Sequence, residues 1–339
     1  MSAFKRYLPL LLTILYMIAS FMFFEMYHFL SHPPSYERRV KTVYIFSGMN
    51  LKEITKILSE NELISDADKF ILWARITGSA SHIKAGEYQF NTTMPPREIL
   101  NRLVDGSTVI HKVTVPEGYN LFQIAKLLSQ KHLVDEEKFV QRAFDPELIS
   151  SLDVKGISLE GYLYPDTYYF RWGMNEEDVL KTMVNKFYTV YNSKFKGVAT
   201  KRGLSKREVL ILASLIEKET SVSQERPLIS AVFHNRLKKR MRLECDPTVI
   251  YGLVQEFGEF KGNITKKDLG TKSPYNTYVI RGLPPGPISN PGEAAIHAAL
   301  YPAETNYVYF VSMNDGTHYF SGSLREHNRA VRKYQKMRK

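Results

Sequence analysis

The sequence predicts an α+β protein: an N-terminal transmembrane helix, small α/β units, and a mostly helical C-terminal region that includes a β-hairpin. Three observations carry this reading. Residues Leu8–Phe24 (LPLLLTILYMIASFMFF) contain no charge. A sixteen-residue segment recurs at an offset of 70 residues, each copy after a β-like stretch. From about residue 158, amphipathic helix patterns dominate, with two strand-like segments late in the chain flanking Asn314-Asp315-Gly316.

The apolar segment is the first element. At ~1.5 Å per residue, Tyr7–Phe24 spans roughly 27 Å, close to a hydrocarbon core about 30 Å thick. Lys5 and Arg6 precede it, so the positive-inside rule places residues 1–6 in the cytoplasm. Tyr27, His28 and His32 suit the far interface. A cleaved signal peptide is the competing reading, but aromatic and Met residues continue past Ala19-Ser20 where a short apolar core would end. The expectation is an uncleaved anchor over 7–30, a single pass through a bacterial inner membrane. The body from about residue 35 then lies in the periplasm.

Charge bears on partners. The 339 residues carry a formal +11, which on its own suggests nucleic acid. Most of it sits at the ends: Lys5 and Arg6, and a C-terminal stretch with Arg325, Arg329, Arg332, Lys333, Lys336, Arg338 and Lys339 against Glu326. The body between is nearly neutral and outside the cytoplasm, so no nucleic-acid partner is expected. The single Cys245 forms no internal disulfide, and the nine His lack zinc-ligand spacing. No metal and no cofactor is expected.

The repeat comes next. Residues 48–63 (GMNLKEITKILSENEL) and 118–133 (GYNLFQIAKLLSQKHL) are identical at eight of sixteen positions. Each follows a strand-like segment, Lys41–Phe46 or His111–Val115, and precedes a second short helix, Ala67–Ile76 or Glu136–Ala143. The Gly supplies a positive-φ turn and the Asn a cap for the next helix. A duplicated folding unit accounts for this pattern. A LysM-like module that grips glycan is the sharper reading, better suited to the first copy, where a strand-like return (Ala85–Phe90) follows. The organisation expected is a LysM-like region over 35–112, a second repeat or linking region over 113–157, and a catalytic region over 158–339.

In that last region a helix is expected over 176–195. Ser205 and Glu208 form a capping box for another that runs to about Thr220. Its run Val209–Ile216 is apolar all round, which means buried all round. Glu217 follows, with small Ala213 and Ser214 one turn back leaving room for a ligand. A carboxyl at the mouth of an apolar environment is expected to have a raised pKa, as a general acid requires. Glu219 lies about 200° further round the helix, so the two carboxylates address different sites. Arg226 is the expected partner of Glu219. Further helices cover Arg226–Lys239, the stretch after Asp246-Pro247, and Gly292–Leu300. A stiff loop, GLPPGPISNPG, occupies 282–292, and the hairpin pairs Tyr307–Ser312 with His318–Ser321.

Ala213-Ser214-Leu215-Ile216-Glu217-Lys218-Glu219-Thr220 resembles the signature of the endolytic murein (peptidoglycan) transglycosylases, the MltG/YceG-like family. The resemblance extends to Glu160–Thr167 (EGYLYPDT), Glu225-Arg226, Ser230–Leu237 (SAVFHNRL), Met241–Gly252 (MRLECDPTVIYG), Ser273–Tyr278 (SPYNTY) and Gly282–Ile288 (GLPPGPI) with Asn290-Pro291-Gly292. Cys245 departs from the pattern, which has a small polar residue there. The family implies cleavage between N-acetylmuramic acid and N-acetylglucosamine within nascent strands, leaving 1,6-anhydro ends, with Glu217 as general acid and then base. Glu219 and Arg226 would be structural neighbours. The motif residues Tyr164, Tyr275 and Tyr278 would stack on sugars, and Asn276, Asn235, Asp246 and Thr248 would bond sugar groups or the catalytic carboxyl. Partners would be peptidoglycan strands and penicillin-binding proteins, and the activity would limit strand length. A hydrolytic muramidase and a non-catalytic wall-binding scaffold are the alternatives.

Overall fold

The structure is a computed structural model. It describes residues 2–258, 260 and 262–336, and the side chains of 2–6 and 336 fall outside the description. The side chains of Lys5 and Arg6, and Arg338 and Lys339, therefore lie outside the described residues. The protein mixes helices with small sheets and begins with one long apolar helix. The chain forms two compact units: residues 1–111 with 169–173, and 112–168 with 174–339.

In the first unit, α1 (Ser2–Ser31) leads to β1 (Val40–Ile45), α2 (Leu51–Glu60), α3 (Ala67–Ile76), β2 (Gly86–Asn91) and α4 (Pro96–Asp105). Strands β1 and β2 pair antiparallel, Val40 opposite Asn91 and Ile45 opposite Gly86. Asn50 caps α2, and Glu53 returns a bond to the Asn50 backbone, so two otherwise orphaned N–H groups are satisfied reciprocally. Val43, Leu58, Phe70, Tyr88, Phe90, Ile99 and Leu103 form the core.

The last turn of α1 belongs to this core. Phe29 and Leu30 are buried in it, and Glu25 pairs with Lys69 at 3.0 Å, while Tyr7–Phe24 is exposed and carries no charge. Truncating a buried aromatic costs the transfer free energy plus a cavity. Phe29→Ala is therefore expected to destabilise this unit by about 3 kcal/mol, read as earlier thermal unfolding of the full chain in detergent. An unchanged transition would mean that α1 is not part of the unit.

From residue 110 the chain runs through β3 (Ile110–Thr114), α5 (Leu121–Ser129), α6 (Glu136–Ala143), α7 (Pro146–Ser151), β4 (Thr167–Arg171), α8 (Glu176–Lys194), α9 (Lys196–Lys201), α10 (Lys206–Glu219), α11 (Arg226–Lys238), α12 (Asp246–Phe257), α13 (Lys266–Leu269), α14 (Glu293–Leu300), β5 (Tyr309–Ser312), β6 (His318–Ser321) and α15 (Leu324–Val331). Strands β3 and β4 form one two-stranded sheet.

The repeat is visible in backbone detail. Gly48 and Gly118 turn at φ 85° and 76°, and the non-glycine residues Glu62 and His132, again 70 apart in sequence, both take φ near 60°. Beside them Leu63 N–H donates to Leu58 O and Leu133 N–H to Leu128 O, the same helix-ending bond twice. Strand β4 was not expected, because TYYFR follows an aromatic-rich stretch that reads as loop. With it, the second copy also has a returning strand, so this feature does not set the first copy apart.

Helix α10 is the centre of the second unit, with every residue from Val209 to Ile216 buried. It packs against α14, α11 and α12. The space beside Ser214 is taken by backbone rather than left open. The Pro/Gly loop fills it: Ile288 N–H donates to Ser214 Oγ at 3.1 Å, and Ser289 Oγ to Ser214 O at 3.4 Å. The small residues admit the loop backbone, and the expectation of ligand room there is corrected.

Candidate active site

Helix α10 stops at Thr220, whose backbone is extended, and the carboxylates of its last turn leave in different directions. Glu217 Oε1 accepts from Arg226 Nη2 at 3.1 Å, and Glu217 Oε2 accepts from Gly292 N–H at 2.9 Å. The Glu217 side chain is 6% exposed and that of Arg226 11%. Lys218 Nζ reaches Gly118 O at 3.3 Å. Arg226 is thus the partner of Glu217 and not of Glu219 as expected. The reason is register: the first residue of α11 faces the same side of α10 as Glu217. The mouth of the helix on this side is polar, not apolar, with both carboxylate oxygens engaged by donors.

Glu219 occupies a different setting. It lines a cavity of about 320 Å³ with Asp246, Tyr278, Arg236, His318 and His327. Burial pushes its carboxyl up to about 7, and Asp246 adds to the rise, while the Cys245 thiol, His318 and Arg236 oppose it. The Cys245 thiol is itself raised by burial and by Glu219. Tyr278 donates its hydroxyl to Asp246 Oδ1. Arg236 is anchored elsewhere, by Val308 O, Arg242 O and Leu243 O, and pairs with Glu244 at 2.9 Å.

Of the motif residues expected to touch sugar, Asp246 and Tyr278 line this cavity. The other five are not among its lining residues. Asn276 is fully buried; its Nδ2 donates to Leu269 O and Thr271 O and its Oδ1 accepts from Tyr278 N–H. Thr248, also buried, bonds Cys245 O and the Thr277 hydroxyl. Asn235 Nδ2 bridges Thr305 O and Tyr307 O. Tyr275 is 1% exposed and packs on Tyr251, and Tyr164 is 8% exposed. A polar or aromatic side chain in a motif reads as a ligand contact; here Asn276, Thr248 and Asn235 bond neighbouring backbone carbonyls.

Two further carboxylates matter here: Glu117, which carried no sequence signal, and Glu225, which entered only as part of a motif pair. Glu117 lines an open cleft with Arg226, Glu293 and His297; burial raises its pKa first, then Glu217, with Arg226 opposing. Glu225 is buried, accepts from Thr220 Oγ1, and meets both the backbone N–H and Nδ1 of His318 at 2.7 Å.

Below the site lies a buried hub. Glu160 is 1% exposed and accepts from Leu121 N–H at 2.9 Å, Asn290 Nδ2 at 2.8 Å and the Tyr251 hydroxyl at 3.1 Å. Burial raises its carboxyl to about 7 against these bonds. Asn290 Oδ1 also accepts from Leu163 N–H. One carboxylate thereby ties the repeat's helix α5 to the aromatic segment, to α12 and to the Pro/Gly loop. Neighbouring Gly161 sits at φ +85°, and a Cβ there would come within 2.4 Å of the Pro287 ring. Gly161→Ala is expected to cost about 3 kcal/mol, since neither the backbone angle nor a rigid ring can yield cheaply. Denaturant titration of the full chain checks this; a stability equal to the parent's would refute it.

Comparison with known proteins agrees with these motifs. The chain is 37% identical over 311 residues to the endolytic murein transglycosylase of Bacillus subtilis, covering 86% of this chain and 84% of that one. It is 30% identical over 329 residues to the endolytic murein transglycosylase of Streptococcus pneumoniae strain R6, covering 87% of this chain and 58% of that longer one. A crystal structure of a yceG-like protein from Listeria monocytogenes superposes with a TM-score of 0.60 at 36% identity, covering 86% of this chain and 99% of that one. With the YceG-like family profile matched over residues 43–333, the chain belongs to the YceG-like family.

Proposed function

We propose that the chain is a membrane-anchored endolytic lytic transglycosylase that cuts MurNAc–GlcNAc bonds within nascent glycan strands and leaves 1,6-anhydro-MurNAc ends. The names of its relatives set the substrate class, and the observation that carries the chemistry is Glu219: a carboxyl in a cavity, with its proton held near neutral pH. General-acid catalysis is most efficient when the acid's pKa lies near the working pH. The geometry favours Glu219 over the expected Glu217, because each Glu217 oxygen already accepts a hydrogen bond, from Arg226 and from Gly292 N–H.

In this reading Glu219 gives its proton to the glycosidic oxygen as the bond to C1 breaks. The C6 hydroxyl of the same muramic acid attacks C1 and closes the anhydro ring. Its proton returns to Glu219, and no water is consumed. Asp246 and Tyr278 line the approach to the bond. Hydrolysis is the second reading, favoured by one observation: Asp246 places a second carboxyl in the same cavity, as hydrolases require. The Tyr278 hydroxyl bonded to Asp246 argues for an orienting role instead.

The helix Tyr7–Ser31 serves as the anchor, with Lys5 and Arg6 in the cytoplasm and the catalytic region in the periplasm. Its burial at Phe29 and Leu30 supports an uncleaved span, since a signal peptide is removed from the mature protein. Residues 35–112 form the LysM-like, glycan-gripping region, with β1-α2-α3-β2 as its strand–helix–helix–strand frame. Residues 113–157 link it to the catalytic region, 158–339. By limiting strand length the enzyme works beside penicillin-binding proteins.

The test is the mass of the products when the full chain in detergent digests purified peptidoglycan. Muropeptides lighter by one water than their reducing counterparts are expected. Reducing muramic acid would establish the hydrolytic reading, and binding without cleavage the scaffold.

A further inference from the structure

The cavity around Glu219 holds a second proton-bearing group that the one-carboxyl mechanism leaves unused. His318 opens β6, in the hairpin. Glu225, just before α11, grips it twice, by the backbone N–H and by ring Nδ1, each at 2.7 Å. Facing a carboxylate, Nδ1 is the donor. That leaves Nε2 as the ring nitrogen available to the cavity, which the His318 side chain lines at 14% exposure. Phe310 packs edge-on against the ring at 5.5 Å and limits its swing. Glu225 in turn is held by Thr220, the residue after Glu219. The same short segment therefore carries the acid and fixes the imidazole's anchor.

We propose that His318, oriented by Glu225, is a positioning residue that acts through Glu219, stabilising the Glu219 carboxylate once its proton has left. This rests on the reading of Glu219 as the acid and base. After the first step that carboxylate sits partly desolvated beside Asp246, a like charge that disfavours it. An imidazolium across the cavity offsets both terms. The other ionisable groups lining the cavity are Asp246, Arg236, Glu244, Tyr278 and His327. Arg236 already bonds three backbone carbonyls and Glu244, and burial lowers the pKa of His327. His318 spends Nδ1 on Glu225 and retains Nε2 for the cavity it lines. Its attraction for the Glu219 carboxylate acts against the burial-driven rise.

The experiment follows release of anhydro-muropeptides by the full chain against pH, for the parent, His318→Gln and Glu225→Gln. Activity of the parent falls as pH rises through the Glu219 pKa, because the acid form is lost. Without His318, Glu219 holds its proton more tightly. His318→Gln should then lower kcat about tenfold, leave KM within about twofold, and move the falling limb up by about one pH unit. Glu225→Gln should shift the limb the same way by less, because it loosens the ring without deleting it. It also covers the case in which His318→Gln fails to fold. A limb that superimposes on the parent's in both folded variants overturns the proposal, whatever happens to the rate. Glu219→Gln separates the two levels: if that variant still cleaves, the reading of Glu219 fails first, and if it is dead while the limb stays put, only the role of His318 fails.

Discussion

Replacing Glu219 with Gln is expected to abolish glycan cleavage, with at least a thousand-fold loss of kcat, while the chain still folds and binds peptidoglycan. The amide keeps the size of the side chain but cannot donate a proton and then take one back, and positioned proton transfer contributes roughly 10² to 10⁴ in rate. The fold should tolerate the change, because the carboxyl lines a cavity instead of anchoring a helix. In the parent, cleavage should be fastest below pH 7 and fall as Glu219 ionises. Glu217→Gln is the matched control. It breaks an ion pair in which both side chains are nearly buried and leaves Arg226 without its carboxylate partner, so its main effect is on stability, of order 2–4 kcal/mol. Cleavage that survives in Glu219→Gln and vanishes in a well-folded Glu217→Gln would return the chemistry to Glu217.

The largest stability effect is expected at Glu160. Its replacement by Ala removes the acceptor of Leu121 N–H, Asn290 Nδ2 and the Tyr251 hydroxyl, all buried. Buried donors left without partners cost about 1–3 kcal/mol each before relaxation. A loss of about 4 kcal/mol, or roughly 10 °C in melting temperature, is a fair sum. The pH dependence adds a second reading. The Glu160 carboxyl is raised in the fold to about 7 from an ordinary 4.5, so the folded state holds the proton more tightly than the unfolded one. Its contribution is complete below pH 4.5 and is lost as pH rises through 7, at most about 3 kcal/mol. Parent stability should therefore decline across that window. Glu160→Ala should flatten the decline, leaving the part due to Glu219, whose carboxyl is raised likewise. A melting temperature within two or three degrees of the parent's, with the same slope, would mean that the hub does not bind these elements together.

Much of this architecture is legible in local sequence. The caps Asn50 and Asn120 and the capping box Ser205/Glu208 mark three helix starts, and all three form. The repeat carries its turn glycines and its paired left-handed residues at one offset, because local backbone chemistry specifies both. The divergence of Glu217 and Glu219 around α10 also follows from helical geometry. What local pattern cannot supply is what each carboxylate meets. That is decided by Gly292, 75 residues along, which closes over Glu217, and by the hairpin that brings His318 to the other side. The same limit explains Asn276 and Thr248. Whether an amide or hydroxyl meets a sugar or a neighbouring carbonyl depends on burial, and burial belongs to the assembled fold.

The seating of α1 has a mechanical consequence. Under the proposed anchoring, a helix that continues without a break into the core of the first unit would be a rigid post and not a leash. A flexible tether lets a domain tumble and sample a wide shell above the bilayer, whereas a post fixes the standoff height and tilt of what it carries. A glycan-gripping unit mounted in this way would scan a thin layer parallel to the membrane. Strands would come within its reach by where they lie, before any chemistry distinguishes among them.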